Sequence, residues 1–142
     1  MSIRTLILSA ALAFGLAGVA QAQEFPLTIP HAFGETTIEA KPQRIVTWGW
    51  AAQDAVLALG EVPVGIPHFA YGGDENGALA WTKDAVAALG ADFPTILPAG
   101  NDAPVEAIAA LKPDLIIAVY SGLTADEYAV LSGIAPVVAY PE

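Results

Sequence analysis

From Pro42 onward, short runs of β-branched and apolar residues alternate with helix-length segments, and Gly or Pro stands at most junctions. That alternation narrows the fold more than any other feature of the chain. Repeats of strand, helix and strand build a parallel sheet with helices on both faces, because each crossover returns over the sheet in a right-handed sense. Residues 114–120 form the strongest run. They are nearly continuous in apolar side chains and of strand length, as expected for a strand covered on both faces. Residues 44–48, 63–66, 95–97 and 136–140 supply the other strands. Helices are predicted over 51–59, 84–89 and 103–111, the first two closed by Gly60 and Gly90. Asp102 is placed to cap the third. Thr124-Ala125-Asp126-Glu127 is a capping box that opens a fourth, running to Leu131. Residues 67–81 read as a long loop. The expected fold class is α/β, a Rossmann-like lobe.

Two different segments precede it. Residues 24–41 carry short alternating runs, Leu27 and Ile29 and then Thr36-Thr37-Ile38, around turn material at Phe33-Gly34-Glu35. They read as a short β-hairpin. Residues 1–22 read as a cleavable secretory signal peptide. Arg4 gives a positive start, residues 6–20 are almost wholly apolar, and Ala20-Gln21-Ala22 supplies small residues for cleavage. As a helix, that apolar run would span roughly 22 Å, short of a bilayer core of about 30 Å, so a membrane anchor fits less well. The chain has no Cys, which closes the route to a lipid anchor at this site. Loss of Arg4 leaves four basic against fifteen acidic residues, a charge of −11. Such a balance argues against nucleic acid or an anionic membrane surface as partner.

In an open parallel sheet, ligands lie beyond the carboxyl ends of the strands. Three segments fall there: Trp48-Gly49-Trp50, then His68-Phe69-Ala70-Tyr71-Gly72-Gly73, then Tyr120-Ser121-Gly122. Each sets aromatic rings beside Gly, which offers flat apolar surface on closely approachable backbone. The candidate ligand residues are Trp48, Gly49, Trp50, His68, Phe69, Tyr71, Tyr120 and Ser121, with Trp81 able to close the same cleft. The plain alternative is that these rings serve packing alone. The GxSxG, GxGxxG and P-loop patterns are absent, so hydrolase and nucleotide-binding readings lack support. His31 and His68 lie in different segments without metal-ligand spacing, so no metal site is expected. Glu106 near a helix start is either an ordinary exposed acid or a docking charge for a basic socket.

Several strings taken in order resemble a known family. They are Lys41-Pro42-Gln43-Arg44-Ile45-Val46, Ala55-Val56-Leu57-Ala58-Leu59-Gly60, Pro63-Val64-Gly65-Ile66, the run from Val105-Glu106-Ala107-Ile108 through Leu111-Lys112-Pro113-Asp114-Leu115-Ile116-Ile117, and Leu131-Ser132-Gly133-Ile134-Ala135-Pro136-Val137-Val138. Together they are similar to the N-terminal lobe of periplasmic iron–siderophore binding proteins, the substrate-binding components of ABC importers. The resemblance runs from about Phe25 to Tyr140. It implies a non-enzymatic, monomeric, freely diffusing periplasmic carrier with no intrinsic cofactor and no membrane span. Its ligand would be a ferric siderophore or related chelate held between two lobes joined by a long helix. The place of Glu106 in its string matches a carboxylate that docks on the ABC permease.

The resemblance leaves one departure. The chain stops at Glu142, where the family continues into a helix and a second lobe, so residues 23–142 read as one lobe of a fragment or truncated gene product. Basic residues for an anionic chelate are not evident, and Arg44 stands at the wrong end of its strand. Three rivals remain: the same fold binding cobalamin, heme or a metal ion; an exported α/β hydrolase fragment with Ser121 as nucleophile; and a remnant that binds nothing.

Overall fold

The structure is a computed structural model that describes residues 24–142. The expected signal peptide, residues 1–22, lies outside the described residues. Seven strands and four helices follow in order: β1 (Leu27–His31), β2 (Gly34–Ile38), β3 (Ile45–Gly49), α1 (Ala52–Ala58), β4 (Gly65–Ile66), α2 (Ala80–Ala88), β5 (Thr95–Ile96), α3 (Val105–Ala110), β6 (Leu115–Tyr120), α4 (Ala125–Ser132) and β7 (Val137–Ala139). The last five strands form one parallel sheet in the order β5-β4-β3-β6-β7. The expected α/β class, with a hairpin before it, is the observed one. The strand order reverses direction between β3 and β6, which makes their junction the switch point of the sheet.

Register explains the two faces. Val46, Ile116 and Val137 are aligned across β3, β6 and β7, and all three are buried. With Trp48 and Ala118 they meet Ile108 of α3 and Leu131 of α4 in the main core. The alternate residues, Ile45, Leu115, Ile117 and Val138, face the other way and meet Phe25, Ile29 and Ile38 of the hairpin segment. Right-handed crossovers put α1 and α2 on this second face. The strongest run behaves as its composition requires over its first four residues. Its last two, Val119 and Tyr120, emerge into solvent.

The hairpin also covers the outer edge of β7, an edge that would otherwise offer unpaired backbone groups. The Ala32 amide donates to the Tyr140 carbonyl at 2.9 Å. The Thr36 hydroxyl donates to the Val137 carbonyl at 2.6 Å. At the tip, Phe33 stacks on Tyr128 of α4 with centroids 4.8 Å apart and meets Tyr140 edge-on at 5.5 Å. His31 belongs to this latch, with Nε2 2.9 Å from the Thr36 hydroxyl.

Two expectations need correction. α2 begins at Ala80, four residues before the predicted start, so Trp81 lies in a helix and not in the loop. Alanine-rich sequence carries the helix back past Asp84. Asp102 does not cap α3. Pro104 holds the cap position without a side-chain bond, and Glu127 Oε1 accepts from the Ala103 amide at 2.9 Å. The same carboxylate closes the capping box of α4 through Oε2, as the sequence pattern indicated.

Candidate functional site

The turn from β3 into α1 builds the centre of the candidate site. Gly49 has φ +103° and pairs with Tyr120 after a break in the β3–β6 register. A Cβ at Gly49 would stand 2.5 Å from the Tyr120 carbonyl oxygen, so only Gly lets the two strand ends close. The Trp50 amide then donates to that same oxygen at 2.9 Å. Ala51 follows in the left-handed region, φ 58°, and caps α1. A non-Gly residue held there stores roughly 1–3 kcal/mol, a kind of strain that collects at binding sites.

This turn separates two Trp residues that a regular strand would point the same way. Trp48 is buried in the main core. Trp50 is 48% exposed and packs edge-on against Phe69, centroids 5.5 Å apart. Phe69 is itself buried and supports the Trp50 ring from behind. Beyond β6, Tyr120 is 73% exposed. It lines a shallow cavity of about 270 Å³ with Ser121, Gly122 and Tyr140. The structure therefore brings Trp50, Phe69, Tyr120 and Ser121 to one end of the sheet, with Gly49 between them and Trp48 beneath. Tyr71 stands out in the loop at 82% exposure and joins no aromatic contact.

Ser121 is occupied by its own turn. Its hydroxyl donates to the Ala118 carbonyl at 2.8 Å and accepts from the Leu123 amide at 3.2 Å. No His or acid activates it, which leaves the hydrolase reading without its base. His68 packs over Gly77, where any Cβ would collide with its ring, and its buried Nδ1 has no partner. Trp81 donates from Nε1 to Asp54 Oδ1 at 3.1 Å and so ties α2 to α1.

Asp74 organises the loop between β4 and α2. Its Oδ1 accepts from the Asn76 and Ala78 amides, each at 2.9 Å, and Oδ2 pairs with Lys83. Lys83 and these amides hold its carboxyl down at about 2. The Thr124 and Ala103 amides likewise lower that of Glu127. Sequence reasoning missed Asp54, Asp74 and Tyr140 as contributors. For Tyr140 a signal existed, since it directly follows a buried parallel strand and the strand-end rule applies to it equally. Glu106 sits exposed in the first turn of α3 and makes no ion pair among the described residues. Among the described residues no group of three His, Asp or Glu side chains could hold a metal ion, and no helix is long and apolar enough to cross a membrane.

Comparison with known proteins agrees with this geometry. The periplasmic binding protein family matches residues 45–142. The Fe(3+) dicitrate-binding periplasmic protein FecB of Escherichia coli (strain K12) is 38% identical over 116 residues, covering 80% of this chain and 35% of FecB. A solved periplasmic solute binding protein from Mycobacterium smegmatis str. MC2 155 is 48% identical with a TM-score of 0.71, over 80% of this chain and 39% of that one. PiaA from Streptococcus pneumoniae TIGR4, solved in complex with ferrichrome, is 40% identical with a TM-score of 0.76, over 81% of this chain and 38% of PiaA. This chain spans about a third of the length of the curated relatives it matches. A match over most of the residues, carried by the strings that first suggested the resemblance and by the same lobe in solved relatives, leaves no competing family: the chain belongs to the periplasmic binding proteins.

Proposed function

We propose that residues 23–142 are the N-terminal lobe of the solute-binding component of an ABC importer. It captures a ferric siderophore or similar iron chelate outside the cytoplasm and hands it to the inner-membrane permease. The observation that carries this reading is the exposed pair Trp50 and Tyr120 at the switch point, backed by Phe69 and Trp48. Aromatic surface around a shallow concavity suits a bulky, partly apolar chelate. The name of FecB and the ferrichrome bound to PiaA support iron chelates as the ligand class. Gly49 and Ser121 shape the floor by backbone, and His68, Tyr71 and Trp81 form the rim on the β4–α2 side. The lobe performs no chemistry on its ligand.

The remaining parts of the reading follow from this role. Residues 1–22 direct export and are removed, and the chain works as a freely diffusing periplasmic monomer. Glu106, exposed and unpaired at the start of α3, docks against basic residues of the permease. Glu106→Ala is expected to lower chelate uptake by cells that depend on the protein and to leave chelate affinity unchanged. A changed affinity would instead move Glu106 into the cleft.

Titration of the chain with ferrichrome, ferric dicitrate, cobalamin and hemin, followed by tryptophan fluorescence, tests the ligand class. A ferric chelate is expected to quench the emission, and Trp50→Phe to remove most of that change. Quenching by cobalamin or hemin, with both ferric chelates silent, would transfer the site to the rival ligands.

A further inference from the structure

Charge is divided unevenly between the two ends of the sheet. Each helix of a parallel sheet starts beside the carboxyl end of the strand before it, so loops and first turns share the ligand end. Asp54 of α1, Asp102 before α3, Glu106 of α3 and Asp126 of α4 all stand at that end. Among the described residues the one cation there is Lys83, and it is held by Asp74. The other three cations lie at the opposite end. Lys41 pairs with Glu61 at 2.6 Å. Arg44 donates to the Leu111 and Lys112 carbonyls that close α3, at 2.6 and 3.1 Å. Lys112 itself stands between α3 and β6.

Asp54 is the acid most firmly built into the ligand end. Its Oδ1 accepts from Trp81 Nε1 and from Gln53 Nε2, both at 3.1 Å, and Gln53 is fully buried. Both donors are neutral, so its charge is positioned and not cancelled. Trp81 links it to the rim of the candidate cleft.

Resting on the ligand reading above, we infer that this half-site selects iron chelates without net negative charge, and that Asp54 is a determinant of that selectivity. Aromatic surface supplies the attraction, which is indifferent to ligand charge. The acids supply the discrimination. Through water at about 10 Å, each like charge weakens binding roughly twofold per ligand charge. Several acting together give on the order of tenfold at low salt, fading as the Debye length shrinks to about 8 Å at physiological ionic strength.

The test titrates the chain with ferrichrome, a neutral tris-hydroxamate complex, and with ferric dicitrate, an anionic one, following tryptophan fluorescence at low and physiological salt. Ferrichrome is expected to bind about tenfold more tightly at low salt, with the gap narrowing as salt rises. Asp54→Asn should narrow the low-salt gap about twofold, whereas Asp92→Asn at the opposite end should leave it alone. If Asp54→Asn lowers the melting temperature, the exposed Asp126→Asn carries the same test. Ferric dicitrate binding as well as ferrichrome at low salt, or a gap unmoved by both ligand-end variants, overturns the selectivity and leaves the ligand reading standing. Silence toward both chelates refutes the ligand reading and the selectivity with it.

Discussion

Gly49→Ala tests whether the switch point is held by close backbone approach. Two costs apply at this position. The backbone has φ +103°, outside the basins an L-residue occupies comfortably. Forcing a side chain into that half of the map costs about 1–2 kcal/mol. The added Cβ would also stand 2.5 Å from the Tyr120 carbonyl oxygen, 2.6 Å from its carbon and 2.7 Å from Ser121 Cα. All three are backbone atoms, and that oxygen is held by the Trp50 amide, so relief requires parting β3 from β6. Overpacking of this kind costs about 1–3 kcal/mol, for a total of about 2–5 kcal/mol. Gly60→Ala isolates the steric share. Gly60 has φ +83°, and a methyl added there would meet nothing within 4 Å, so only the backbone cost remains. Urea unfolding followed by tryptophan fluorescence should place Gly49→Ala about 1–3 kcal/mol below Gly60→Ala, which is about 1 M in midpoint at ordinary slopes. Equal midpoints for the two variants would show that the strand ends have room to spare, and the argument for a tightly closed switch point would fall.

Other consequences follow from the side-chain geometry. Thr36→Val removes the hydroxyl that serves both His31 and the Val137 carbonyl; it should cost about 1–3 kcal/mol and speed hydrogen exchange at the Ala32 amide, and unchanged exchange would deny the hairpin latch. Thr124→Ala breaks the capping box and should cost about 1 kcal/mol in urea unfolding, and a neutral result would mean that Glu127 caps α4 unaided. Asp74 has its folded value depressed to about 2 by Lys83 and the loop amides, against 3.8 ordinarily. Its contribution is therefore full above the ordinary value and lost as pH falls from about 4 toward about 2. NMR of the Asn76 and Ala78 amides should show the β4–α2 loop loosening in that window, and a loop that loosens only above it would rule out Asp74 as its organiser.

The residues explain which parts of this were legible in the chain itself. β6 was readable because its apolar run is continuous, and α4 because its cap is written within four consecutive residues. The approach to α3 was not readable from Asp102, since the carboxylate that serves it belongs to Glu127, twenty-four residues later. Local spacing cannot report a partner brought by packing. Trp48 and Trp50 failed differently. Period-two alternation puts them on the same face of β3. The register break and positive φ at Gly49 undo that, burying one ring and exposing the other.

Strand order was the deeper gap, and it decides the site. Alternating strands and helices dictate parallel pairing and right-handed crossovers, but they leave open which strand ends become neighbours. All three Gly-aromatic segments therefore looked equivalent as strand-end candidates. The observed order sets β6 directly against β3, although one whole turn of the fold, β4 to α3, separates them in sequence. That pairing is what joins Trp50 to Tyr120 through a backbone hydrogen bond, while Phe69 reaches the same point only as a buried support and Tyr71 does not reach it. The same order adds Tyr140, because β7 lies next to β6 and its carboxyl end opens on the same cavity. Composition at the strand ends thus named the kind of surface this lobe presents, and long-range pairing chose which of those side chains compose it.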